Sequence, residues 1–359
     1  MKWFGSISPE RLSQIDARHI CVIKPSAFGD IVQSLPVLST LRARFPHARL
    51  AWVVKRQWAE LLEGHPDLDE LIAFDTQSGF AAWRSFLRDL RLRRFDLVLD
   101  LQGLFRTGLM TWATRAPVRV GLETAREGAN LACNCVLPGT SKRVPAHARY
   151  RRVAEAIDPG LSVFEPRLPL RDEHVEWARS LLRPLASPRV ALHIGAAWPT
   201  KRWPVRKFAA IAMLAVQHFN ASLVLVGGPG DSLGGRTLEG LLDETSRSRA
   251  VNLIGQSNLA QLMAVLADVD LMISNDSGPM HLAAALNTPT VGIFTCTDPD
   301  RSGPGGEGHE MVSTRVSCRA SYRKKCPHRG SQYMACLEEL DVERVWQACR
   351  SLLERTRRG

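Results

Sequence analysis

The segment from Leu271 to Pro299, LMISNDSGPMHLAAALNTPTVGIFTCTDP, constrains the fold more than any other part of the chain. It opens as an apolar run with the length of a buried strand and breaks at Asn275-Asp276-Ser277-Gly278. It turns helical from Pro279 and returns to an apolar run at Thr290–Phe294. The succession is strand, tight turn, helix, strand. Asp276 or Ser277 suits the helix N-cap, and Pro279 suits its first turn. Backbone N–H groups at such a turn point away from the carboxyl edge of the sheet, where an anion would be held. Any α/β unit needs a capped turn, so D-S-G alone assigns no ligand.

A length of 359 residues predicts two domains, at roughly 100 to 200 residues each. Hydrophobic residues make up 45% and charged residues 23%, a balance that fills ordinary globular cores. No apolar run approaches the roughly 20 residues that a bilayer span requires. The opening MKWFGSISPERLSQIDARH turns polar where a signal peptide would have its apolar core, so a cytosolic protein is expected. Eight cysteines without dense spacing predict reduced thiols and no disulfide framework. The net charge of +11 calls for an anionic partner, unless it is no more than a solvated basic surface. A nucleic acid, an anionic membrane surface and a phosphorylated glycolipid would all satisfy it. The arginines are spread over both halves, and no helix-turn-helix, RNP or zinc-finger pattern is present, so nucleic acid is not expected.

Read in order, the chain alternates strands and helices. A strand over 19–24 ends in Pro25-Ser26-Ala27-Phe28-Gly29-Asp30 and leads into a helix over 31–45. Only Gly29 stands where a dinucleotide fingerprint needs three glycines, which argues against a nicotinamide or flavin enzyme. On physical grounds alone Asp30 reads as a helix N-cap. A strand over 49–54, a helix over 58–62 and a strand over 71–74 follow. A basic helix over 80–94 carries Arg84, Arg88, Arg91, Arg93 and Arg94, and a buried strand covers 95–101. Such alternation implies a parallel doubly wound sheet with function at the carboxyl ends of its strands. A linker is expected over 158–171, where Pro159-Gly160, Pro166 and Pro169 interrupt any helix. A second series starts with a helix over 174–182 and a strand over 189–194. That strand ends in Gly195-Ala196-Ala197-Trp198-Pro199-Thr200-Lys201-Arg202. Small residues there admit a ligand close to the backbone, while Thr200, Lys201 and Arg202 offer a hydroxyl and two cations to a diphosphate. The Gly227-Gly228-Pro229-Gly230-Asp231 loop lacks the G-K-[ST] of a Walker motif. A last amphipathic helix is expected over 341–355.

Longer matches narrow the reading. D-S-G-P-x-H-L-A-A-A with the following P-T-V-x-x-F and T-D-P resembles the nucleotide-sugar site of the ADP-heptose:lipopolysaccharide heptosyltransferases. S-x-x-G-D after the first strand, D-L-Q-G-L-F-R-T at 100–107, G-L-E-T-A-R-E at 121–127 and W-P-T-K-R-W-P at 198–204 also resemble segments of that family. The resemblance implies an α/β chain of GT-B type, with two Rossmann-like doubly wound domains facing across a cleft. They would be an acceptor-binding domain over 1–158 and a nucleotide-sugar-binding domain over 172–340, with the helix over 341–359 returning to the first domain. It implies a metal-independent, inverting transfer of a heptose from an ADP-sugar to the inner core of lipopolysaccharide, with no cofactor. Asp30 would be the catalytic base. Thr200, Lys201, Asp231, Asp276, Ser277, Gly278 and His281 would bind the donor. Ser26, Gly29, Arg84, Arg88, Arg106 and Arg126 would bind the anionic lipopolysaccharide acceptor, at the inner face of the membrane, where peripheral association would fit. Gly255-Gln256-Ser257 would shape the adenine slot, and closure of the domains would exclude water.

Two rival functions share these features. A nucleotide-sugar epimerase of the same fold would need no lipid acceptor and no basic helix over 84–94. A non-catalytic nucleotide-sugar or polyanion binder would bind without turnover. The metal-binding pattern D-x-D occurs at Asp67-Leu68-Asp69, Asp268-Val269-Asp270 and Asp298-Pro299-Asp300, which marks it as chance. Cys318, Cys326 and Cys336 form no C-x-x-C pair, and Ser321 stands where many members of the family carry another cysteine, so no metal site is expected.

Overall fold

A computed structural model describes residues 6–75, 79–160 and 164–357. The first five residues of the amino-terminal stretch and 161–163 of the expected linker lie outside the described residues. The chain divides into two compact units, Met1–Pro169 and Leu170–Gly359.

The first unit is a six-stranded sheet built from β1 (His19–Ile23), β2 (Arg49–Lys55), β3 (Glu70–Phe74), β4 (Leu97–Asp100), β5 (Val118–Leu122) and β6 (Cys135–Leu137). Its helices are α1 (Phe28–Arg44), α2 (Gly79–Leu92), α3 (Phe105–Thr114) and α4 (Ala146–Ile157). Every strand pairing is parallel, in the order β3-β2-β1-β4-β5-β6. Strands covered on both faces must be apolar throughout, and β1, β2 and β4 are buried along nearly their whole length.

The second unit repeats the winding with β7 (Arg189–His193), β8 (Ser222–Leu225), β9 (Ala250–Asn252), β10 (Leu271–Asn275), β11 (Thr290–Phe294) and β12 (His309–Ser313). Its longer helices begin with α5 (Asp172–Leu182), α6 (Val205–Phe219) and α7 (Ser232–Leu241). The short α8 (Glu244–Ser248) precedes α9 (Leu259–Ala267) and α10 (Gly278–Ala285). Then come α11 (Pro299–Ser302), α12 (Ala335–Glu339) and α13 (Val342–Thr356). The order is β12-β11-β10-β7-β8-β9, again all parallel.

Renumbered within each unit, both sheets run 3-2-1-4-5-6. The strand order therefore reverses between β1 and β4 in the first unit and between β7 and β10 in the second. In open α/β sheets a crevice forms outside the carboxyl ends at that reversal, and ligands bind there.

Three expectations change. The helix expected over 58–62 is a 3-10 turn, Arg56–Leu61. The basic helix stops at Leu92, and Arg94 takes a left-handed conformation at φ 53°, so Arg93 and Arg94 lie beyond it. Arg93 is engaged structurally, its Nε donating to Glu70 at 2.7 Å. The third change concerns α13, which the family resemblance returned to the first domain. Its apolar face, Val345, Trp346, Cys349, Leu352 and Leu353, is part of the second unit's core instead. Trp346 meets Phe219 of α6 edge-on at 6.0 Å, so that face is already committed. Among the described residues no helix is long and apolar enough to cross a membrane.

Candidate active site

In the first unit the reversal point gathers groups from β1, α1, β4 and α4. Lys24, just past β1, is 4% exposed, and its ammonium lies 3.7 Å from Asp30 Oδ2. Burial opposes a charge there. The attraction of Asp30 and Tyr150 outweighs it, so the Lys24 pKa is raised. Tyr150 on α4 is itself pushed up by burial, with Lys24 partly offsetting this. Asp30 is the third residue of α1, not its N-cap. Its carboxylate reaches back to accept from the Ala27 N–H at 3.4 Å. Gly29 precedes it in the first turn, and half-buried Ser26 lies in the loop before the helix.

Asp100 at the end of β4 holds the neighbouring loop. Its Oδ1 accepts from the N–H groups of Gln102 at 3.0 Å and Gly103 at 2.8 Å. Burial raises its pKa against the pull of those donors and of Lys24. Gly103 adopts φ +66°, and a Cβ there would sit 2.8 Å from the Ala125 backbone, so this close approach requires glycine. The Arg126 N–H donates to the Gly103 carbonyl at 2.9 Å, which carries the exposed Arg126 side chain to the same loop. Arg106 begins α3, its guanidinium 5.9 Å from the Trp83 ring. Arg84 and Arg88 are exposed on α2.

In the second unit a tighter constellation spans β7 and β10. Lys201, in a 3-10 turn after β7, places Nζ 2.6 Å from Asp276 Oδ2, and the same oxygen accepts from the Thr297 hydroxyl at 2.6 Å. Both charged side chains are largely buried, at 16% and 5% exposed. The ammonium also lies 4.7 Å from the Trp198 ring. Trp203 anchors the turn. Its backbone N–H donates to Asn275 Oδ1 at 3.0 Å and its indole N–H to the Leu340 carbonyl at 2.9 Å. Asn275 Nδ2 in turn donates to the Ile194 carbonyl at 2.8 Å, so one buried amide ties the ends of β7 and β10 together. The Thr200 hydroxyl donates to the Arg323 carbonyl at 2.8 Å.

Ser277 is the N-cap of α10, but its hydroxyl makes no capping bond. It lies 3.1 Å from His193 Nδ1 and 3.1 Å from the Ser274 hydroxyl. Ser274 donates to the Asn275 carbonyl at 2.8 Å, so toward Ser277 and His193 its hydroxyl oxygen accepts. His193 Nε2 is 3.9 Å from Asp231 Oδ2. The Asp231 carboxylate also accepts from the Gly228 N–H at 3.2 Å and lies over Gly195, where an added Cβ would come within 2.5 Å of it. His281 is buried one turn into α10. The first N–H groups of that helix, from Gly278 onward, have no acceptor within the helix by geometry, and they carry the positive end of its dipole. Gly255, φ +73°, donates its N–H to the Gly227 carbonyl at 3.0 Å and so borders the loop that leads to Asp231.

The His193 network was not legible in the sequence, because the histidine sits inside an apolar strand and its partners lie 81 and 84 residues away. Burial lowers its pKa to about 4, with Asp231 opposing and Arg202 adding to the effect. The unfolded chain therefore binds a proton that the folded chain refuses between about pH 6.5 and pH 4. Stability should fall as pH drops through that window. We expect the difference in melting temperature between the wild type and His193→Gln to shift in favour of the variant from pH 7.5 to pH 4. A difference that does not change with pH would show that His193 is not held neutral.

All three D-x-D matches have structural work. Asp67 pairs with Arg167 at 3.0 Å, Asp268 with Arg189 at 2.9 Å, and Asp298 caps α11 by accepting from the Asp300 N–H at 3.1 Å. Among the described residues no three His, Cys, Asp or Glu side chains are grouped so as to hold a metal ion.

Two Rossmann-like units in sequence, each a parallel six-stranded sheet with its own reversal point, have the make-up of the GT-B class. The structure of an Escherichia coli ADP-heptose lipopolysaccharide heptosyltransferase II superposes with a TM-score of 0.76, covering 94% of this chain and 99% of that one at 24% identity. The sequence profile of glycosyltransferase family 9 (heptosyltransferase) matches residues 83–331, and the chain belongs to that family. It is 27% identical over 308 residues to the lipopolysaccharide core heptosyltransferase OpsX of Haemophilus influenzae, covering 82% of this chain and 84% of the relative. It is 28% identical over 351 residues to lipopolysaccharide heptosyltransferase 2 of Salmonella typhimurium, covering 93% and 98%.

Proposed function

We propose that this glycosyltransferase moves a heptose from ADP-heptose to a hydroxyl of the lipopolysaccharide inner core, with inversion at the anomeric carbon. The observation that carries the reading is the Lys201 and Asp276 pair beside the amino terminus of α10, in a chain of family 9. In the reaction the acceptor oxygen attacks the anomeric carbon while the bond from that carbon to the β-phosphate oxygen breaks, and ADP departs. Asp30 takes the acceptor proton. Lys201, the N–H groups at Ser277 and Gly278, and His281 meet the charge that develops on the leaving diphosphate. A carboxylate would repel that diphosphate, so Asp276 serves differently. Its Oδ2 holds Lys201 and Thr297, and Oδ1 accepts from a sugar hydroxyl. Asp231 holds the ribose. Ser26, Gly29, Arg84, Arg88, Arg106 and Arg126 receive the anionic acceptor, and the protein works at a membrane surface to which it associates peripherally.

The test is an incubation of the purified protein with a panel of nucleotide sugars and a water-soluble, deacylated inner-core oligosaccharide. The expected product is the oligosaccharide with one added heptose, formed from ADP-heptose. An altered nucleotide sugar in the absence of acceptor would favour an epimerase, and binding without turnover would favour a binder. Fixed cations and a helix dipole carry the charge, so we expect EDTA to leave the rate unchanged. Loss of activity on chelation and its recovery with added divalent metal would overturn metal independence.

A further inference from the structure

The first unit carries an apolar face that neither donor binding nor proton transfer uses. One stripe of α2, Trp83, Phe86, Leu87 and Leu90, packs on the core around Phe74. Phe80 of the same helix is 76% exposed. Phe80, Arg84, Arg88 and Arg91 recur at helical spacing and share an outer face, with the Arg84 guanidinium 6.0 Å from the Phe80 ring. On α3, Phe105, Leu109 and Trp112 share a face in the same way, Phe105 being 58% and Trp112 55% exposed. The two helices pack side by side. A groove of about 500 Å³ runs between them, lined by Phe80, Trp83, Phe86, Phe105, Leu109 and Arg106. It also reaches Phe74 and Asp75 at the carboxyl end of β3, the sheet edge from which Asp30 projects.

A soluble surface rarely presents so many large aromatics together without a partner. Charge selects the partner. Arg84, Arg88, Arg91 and Arg106 on these two helices outnumber the acids around them, which are Asp89 of α2, Asp75 paired with Arg56, and Glu127, whose Oε2 accepts from the Phe105 N–H at 3.2 Å. Arginines interleaved with aromatics on one face suit phosphates lying in the same plane as an apolar layer, which is the make-up of an anionic bilayer surface. We propose that the α2–α3 face docks on an anionic lipid bilayer, with Phe80, Phe105 and Trp112 entering the interface and Arg91 meeting a lipid phosphate beside the arginines that receive the acceptor. This deepens the peripheral association proposed above by assigning it a surface. Docking there would present a lipid-anchored acceptor along the edge that carries Asp30.

The test is co-sedimentation of the full chain with phosphatidylcholine vesicles that contain or lack phosphatidylglycerol. The wild type should partition onto the anionic vesicles and be released by salt. Phe80→Ser/Phe105→Ser should lose partitioning by at least roughly 10-fold, the scale of one buried aromatic side chain, while transferring sugar to the soluble deacylated acceptor at the wild-type rate. Both side chains are exposed, and Arg91→Glu gives a second variant that reads the charge without touching the apolar residues. Wild-type partitioning of both variants would overturn the assigned face and leave membrane association to another surface. A wild type that ignores anionic vesicles would overturn face and association together, while intact transfer to the soluble acceptor would preserve the proposed reaction. A lipid-free dimer that the serine variant abolishes would assign the face to a second copy of the chain and overturn the proposal.

Discussion

Asp30→Asn is expected to lower turnover by roughly 10²- to 10⁴-fold, the range a general base contributes, and to leave ADP affinity at the wild-type level. Asparagine keeps an oxygen for the Ala27 N–H but cannot take a proton from an acceptor hydroxyl. The substitution also removes the charge 3.7 Å from the buried Lys24 ammonium, so the melting temperature should fall as well. Rates therefore have to be compared well below both transitions. Lys24→Met separates the two effects, because it breaks the same ion pair and leaves the carboxylate in place. If the pair were all that mattered, Lys24→Met would reproduce the full loss of turnover. Under the base assignment it retains most of the activity that Asp30→Asn abolishes. Near-normal turnover in a folded Asp30→Asn protein would remove Asp30 from the chemistry.

The winding of both units was legible because a parallel sheet covered on both faces writes itself as apolar runs separated by polar turns. β11 at Thr290–Phe294 stands where the sequence pattern put it. The edge strands β6, β9 and β12 did not announce themselves. β12, His309–Ser313, reads HEMVS and is only half-buried, so its place depends on backbone pairing with β11 and not on an apolar pattern. The length of α13 was readable from its amphipathic pattern, but not its destination, since the stripe from Val345 to Leu353 would suit any apolar surface. The same distinction divides the site. Lys201 and Asp276 stand out in local motifs, whereas Asn275, His193 and Thr297 act through partners 21 to 84 residues away. Lys24 is similar. In sequence it is the last residue of a strand, and only the packing of α4 brings Tyr150 to it.

Lys201→Ala should weaken ADP binding by about 10- to 100-fold, the equivalent of the roughly 1.5 to 3 kcal/mol that a charge-assisted contact is worth. The protein should also melt earlier, for a separate reason. Asp276 is 5% exposed and would keep only the Thr297 hydroxyl of its two side-chain partners. Breaking a buried pair from one side typically costs about 3 to 5 kcal/mol, because the remaining charge is stranded out of water. A loss of affinity could then be an indirect result of a loosened turn between β7 and α6. Lys201→Ala/Asp276→Asn distinguishes the two. Neutralising the stranded carboxylate should recover much of the melting temperature, while the cation that meets the diphosphate stays absent and ADP affinity stays low. If the double variant regained wild-type ADP affinity, Lys201 would be a structural partner of Asp276 and nothing more. Unchanged affinity in the single variant would remove Lys201 from the donor site outright.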